Sequence, residues 1–199
     1  MMNSKVLGVV AFCLLLAEGL LVILSWLLSA TMMESVRSLL SSEGIRWLFG
    51  SYTSQLASPL LVWLLLMLSA LGCLQKSGVV GFFSRTSLST YRDKMAFRVA
   101  SIFLTIFMVI IALLTLMPHA ILLSATGELF PSAVSRSLIP VIAFGISLFS
   151  VSFGMMAGRL KSLSDIFQVL SFGIAKGAPL VIILFLMIHF SVSLRFVFG

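Results

Sequence analysis

Residues 41–80 read SSEGIRWLFGSYTSQLASPLLVWLLLMLSALGCLQKSGVV, and their pattern sets the class of the whole chain. The stretch opens with a helix start. Ser41 and Ser42 can cap free amides, and Glu43 puts negative charge in the first turn. Ile45, Leu48, Phe49 and Tyr52 follow at i, i+3, i+4 and i+7, one apolar stripe on a short helix over 41–52. Arg46 and Trp47 flank the stripe. That is the pattern of a helix lying in a membrane interface, with a charge above and an aromatic ring at headgroup depth. Ser58-Pro59 then reads as a cap followed by proline at the first helical position. Residues 56–74 carry no charge, a length that crosses a bilayer. Gln75-Lys76-Ser77-Gly78 ends the span.

The rest of the chain repeats this logic. Of 199 residues, 60% are hydrophobic and only 10% charged, against about 25% charged in a soluble domain. The expected fold class is therefore an all-α polytopic membrane helix bundle. It has five transmembrane helices, over 6–30, 56–74, 95–117, 138–157 and 178–198, plus two short amphipathic helices. The first apolar stretch is too long for a signal-peptide core and reads as a retained span. Pro118 closes the third span, and Pro179 is expected in the first turn of the fifth.

The net charge of +7 does not point to nucleic acid, because the cations sit between spans. Nine Lys and Arg residues fall on the side of the N-terminus and four on the other. The excess predicts an N-terminus inside and a C-terminus outside, in a bacterial inner membrane. The polar segment 81–94 is the expected linker between a two-span unit over 1–80 and a three-span unit over 95–199. Within the latter, Ser162-x-x-Asp165 fits a capping box with Asp in place of Glu. Leu163, Ile166, Phe167, Leu170 and Ile174 continue it as an amphipathic helix over 162–174, facing either lipid or the protein's own spans.

Few side chains can carry chemistry. Glu18 lies in the middle of the first span. Burying a charge there costs about 2.5–3.5 kcal/mol, so it is either a proton-exchanging carboxylate or a neutral acid bonded to a neighbouring helix. His189, in the last span, suits a proton relay or a single neutral hydrogen bond. Arg46 can face an anionic substrate or anchor its helix at the interface; His119, after Pro118, reads as a surface residue. Gly154 and Gly158 have GxxxG spacing in a span rich in small residues, which suggests close helix packing or a dimer contact. Cys13 and Cys73 lie in apolar spans and show no metal or redox spacing. No cofactor, metal site or enzymatic constellation is expected.

The blocks over 41–80 and 91–199 resemble the AbgT family of p-aminobenzoyl-glutamate and antimetabolite transporters. In the first block the likeness rests on SEGIRWLF, a Pro-Leu turn and KSG. In the second it rests on ATGELF at 125–130, Gly154, Gly158, Lys161, Ser162 and Asp165. The resemblance implies an ion-coupled secondary transporter of p-aminobenzoyl-glutamate or related aryl carboxylates, and a homodimer. The chain departs from the family pattern in lacking the sections that hold the family's hairpins and substrate contacts, and Gln75 stands where the family usually has Glu. A pathway would then have to form between protomers. The alternative expectation is a non-transporting membrane scaffold, built from the family's framework helices, that assembles with itself or another membrane protein.

Overall fold

A computed structural model describes residues 4–31, 36–50, 54, 57–84, 90–116 and 133–199. Tyr52, Pro118, His119 and the segment 125–130 lie outside the described residues. Seven helices run among those described: α1 (Ser4–Ala30), α2 (Ser42–Gly50), α3 (Pro59–Ser77), α4 (Val79–Ser84), α5 (Tyr91–Leu116), α6 (Ala133–Met156) and α7 (Leu163–Phe198). The regular structure among the described residues is all helical, and α1, α3, α5, α6 and α7 are each long and apolar enough to cross a membrane. Large apolar side chains stand exposed along these helices, such as Phe12, Leu20 and Ile23 on α1 and Ile106 and Val109 on α5. Surface of this kind is compatible with a hydrocarbon solvent, and the chain is an integral membrane protein.

Local signals place the helix ends. The Ser41 hydroxyl accepts the Gly44 amide at 3.0 Å and caps α2. Pro59 is the first residue of α3. The capping box opening α7 is complete. The Ser162 hydroxyl accepts the Asp165 amide at 3.1 Å, and Asp165 Oδ2 accepts the amides of Lys161 and Ser162, each at 2.9 Å.

The structure departs from expectation in three places. The helix expected over 162–174 is the start of a 36-residue α7, and Pro179 sits inside it rather than in a first turn. Gly177 keeps a helical backbone against Leu68 instead of ending the helix, and Pro179 gives up one backbone hydrogen bond. Of the expected linker over 81–94, residues 81–84 and 91–94 are helical. α4 covers Val79–Ser84, and α5 starts at Tyr91. Phe82 is the reason for α4, stacking on Phe97 (centroids 5.3 Å apart) and touching Phe153 (5.7 Å). The packing also divides the chain otherwise than into sequential halves. One compact unit comprises Met1–Val62 with Ala178–Gly199, and the other Trp63–Gly177.

The first unit joins the two ends of the chain. Leu21, Leu39, Phe196 and Val197 form its core, with Trp47 stacked on Phe196 at 4.2 Å between centroids. Trp47 is thus a packing residue, while Ile45 and Phe49 are the exposed apolar residues of α2. The Arg37 amide donates to the Val197 carbonyl at 3.0 Å, and the Leu39 amide to the Ser25 hydroxyl at 3.2 Å. These bonds fix the segment after α1 against both helices.

In the second unit, Val79, Ala96, Ala100 and Phe153 form one core and Cys73, Leu160 and Val169 another. The apolar stripe at the start of α7 splits between two faces. Ile166 and Leu170 pack on the second core, whereas Leu163 and Phe167 are 84% and 71% exposed.

Candidate functional site

In the first unit, Glu18 of α1 meets His189 and Ser193 of α7. His189 and Ser193 are four residues apart and share one helix face. The Ser193 hydroxyl, fully buried, donates to Glu18 Oε1 at 2.7 Å. His189 Nε2 lies 3.5 Å from the same oxygen. Glu18 Oε2 is buried without a hydrogen-bond partner among the described residues. One carboxyl oxygen is therefore anchored, while the other is open to a proton.

The chemistry follows from charge in a poor solvent. Two isolated charges inside a membrane cost about 5–7 kcal/mol by the insertion scale. Coulomb attraction at 3.5 Å with an effective dielectric of about 20 returns about 5 kcal/mol. The Ser193 hydrogen bond to Glu18 Oε1 adds about 1.5–3 kcal/mol of support to a carboxylate at this position.

Glu18 and His189 were legible as intramembrane ionisable groups. Ser193 was not, though its i+4 spacing from His189 was a usable signal. The structure does not bring Arg46 into this cluster. It is exposed on α2 and makes no ion pair among the described residues.

The two glycines expected as a packing motif do different jobs. Gly158 lies beyond the end of α6 at φ +72°, so it cannot form a helix face. It terminates α6 instead. The Gly158 amide donates to the Met155 carbonyl and the Arg159 amide to the Gly154 carbonyl, each at 2.9 Å. Gly154 admits the Leu160 side chain and lies beside Ser77.

The close helix contact lies elsewhere, between α3 and α7. A Cβ on Gly173 would fall on the Leu68 carbonyl oxygen, and one on Gly72 would fall on the Gly173 backbone. The Ser69 hydroxyl donates to the Leu170 carbonyl across the same seam at 2.9 Å. Gly173 and Gly177 have the same GxxxG spacing as Gly154 and Gly158, and both pack on Leu68 of α3.

Basic residues gather at one end of the second unit, partly as helix caps. Arg159 Nη1 donates to the Ser77 carbonyl at the end of α3 (3.2 Å), and its Nη2 pairs with Asp93 Oδ1 (3.3 Å). Arg92 Nε donates to the Met156 carbonyl at the end of α6 at 3.3 Å. Cations at helix C-termini complement the exposed carbonyls there. A groove of about 380 Å³ in the same unit is lined wholly by apolar residues of α3, α5 and α6, among them Leu74, Phe107, Ile142 and Phe149. No protein-family model, curated protein or solved structure matches this chain.

Proposed function

We propose that the chain is a proton-coupled secondary transporter of the AbgT kind, moving p-aminobenzoyl-glutamate or related aryl carboxylates across a bacterial inner membrane. The observation that carries this reading is the Glu18–Ser193–His189 cluster on membrane-spanning helices. A carboxyl with one fixed and one open oxygen, beside an imidazole, is what reversible proton loading requires. The resemblance of the two sequence blocks supports the substrate class. The chain acts as a homodimer, with its N-terminus inside and its C-terminus outside, and its role is passage rather than catalysis.

The test is uptake of radiolabelled p-aminobenzoyl-glutamate into liposomes holding only this protein. Accumulation should require an imposed proton gradient and disappear in Glu18→Gln. Absence of flux from folded wild-type protein would refute transport.

A second reading is a membrane assembly protein. Its support is the wholly apolar groove and the glycine seam, which are features of packing rather than of a solute path. Unchanged complex size after Ile142→Asn in the groove, measured by light scattering in detergent, would count against it.

A further inference from the structure

The basic end of the second unit holds a second feature that the proton site does not use. A cavity of about 370 Å³ opens there, walled by Lys76 from the end of α3, Arg159 from the turn after α6, and Asp165, Gln168 and Phe172 from α7. The Lys76 ammonium sits over the Phe172 ring, 4.8 Å from its centroid, and has no carboxylate partner among the described residues. The Lys176 ammonium approaches the same ring at 5.8 Å, and its hydrogen bond goes to neutral Gln75 at 2.8 Å. Asp165, the one acid in the wall, is already engaged by the amides of Lys161 and Ser162. Arg159 is held by Asp93 and the Ser77 carbonyl, so the cations here without a carboxylate partner among the described residues are Lys76 in the wall and Lys176 beside it. Beside it, on the same turns of α7, Leu163 and Phe167 stand exposed at the surface. A cationic pocket bordered by bare apolar side chains matches a ligand with an anionic head and an apolar tail.

We propose that this pocket is a phosphate site that takes the headgroup of an anionic phospholipid, with Lys76 and the neighbouring Lys176 on the phosphate and Leu163 and Phe167 against the acyl chains. Gln168 can accept a hydrogen bond from a glycerol headgroup, whereas the quaternary ammonium of phosphatidylcholine has no donor to offer and would add a cation beside Lys76 and Lys176.

The test is native mass spectrometry of the delipidated full chain in detergent. The probes are short-chain phosphatidylglycerol, phosphatidylcholine of the same chain length, and sodium phosphate. Phosphatidylglycerol should bind more tightly than phosphatidylcholine. Lys76→Gln should weaken it about fivefold, the worth of one basic residue near an anionic lipid, and Lys76→Arg should restore it. Gln168→Glu, which puts a negative charge in the same wall, should weaken binding at least as much, and Lys5→Gln on α1 should not. Equal binding of the two lipids would overturn the proposal. So would no effect from both Lys76→Gln and Gln168→Glu, or an equal loss in Lys5→Gln. Weak competition by phosphate supports the shared chemistry, while competition as strong as that of the lipid would assign the pocket to free phosphate and overturn the lipid assignment.

Discussion

Replacing Gly173 by alanine should destabilise the protein far more than one methyl group suggests. The added Cβ would lie on the Leu68 carbonyl oxygen, 2.7 Å from the Leu68 carbonyl carbon and 2.8 Å from the Gly72 amide nitrogen. All three are backbone atoms, so no rotamer change relieves the contact, and α3 and α7 must move apart. Overpacking of this kind costs about 1–3 kcal/mol. Separation also strains the Ser69–Leu170 hydrogen bond, worth about 1 kcal/mol. Alanine returns about 0.5–1 kcal/mol through its better helix propensity. Because the obstruction is backbone, the balance falls near the upper end, about 2–3 kcal/mol or roughly a 30- to 150-fold shift in the unfolding constant. SDS-driven unfolding in mixed micelles, followed by tryptophan fluorescence, reads this directly. The control is Gly8→Ala on α1, where an added Cβ meets nothing within 4 Å, and which should be neutral or stabilising by up to about 1 kcal/mol. Equal stability of Gly173→Ala and wild type would refute the seam.

Gly158→Ala forces a left-handed backbone onto a residue with a Cβ and crowds the Arg92 guanidinium, so thermal unfolding should show a loss of about 1–3 kcal/mol. Asp165→Ala frees the amides of Lys161 and Ser162. It should loosen the start of α7, read as faster hydrogen exchange at Lys161, Ser162 and the first turn of the helix. Ser193→Ala removes the bond to Glu18 and should slow gradient-driven uptake while leaving α1 and α7 helical by circular dichroism; unchanged uptake would remove Ser193 from the site.

What the sequence made legible was local. The five spans follow from uninterrupted apolar length, and Ser41, Pro59, Ser162 and Asp165 mark helix starts, because a cap acts within one turn. What it left hidden depends on residues far apart in the chain. Ser193 belongs to the site only because it meets Glu18, 175 positions away. The spacing of Gly173 and Gly177 is the same as that of Gly154 and Gly158. They are told apart by the end of α6, which leaves Gly158 outside the helix, and by the partner α3, where Leu68 and Gly72 offer bare backbone. Trp47 looked interfacial because an aromatic at headgroup depth and an aromatic on a core read alike, until Phe196 is found beneath it. α4 carries no sequence signal because six residues are too few to show a helical period, and its anchor is the Phe82 contact with Phe97 and Phe153.

The central claim is that Glu18 binds and releases a proton while bonded to Ser193 and facing His189. Infrared difference spectroscopy of the protein in liposomes, recorded between acidic and alkaline buffer, tests it most directly. The account predicts a protonated-carboxyl C=O band that appears on acidification, shifts in Ser193→Ala and is missing in Glu18→Gln. A spectrum with no such band, or with the band intact in Glu18→Gln, would contradict it.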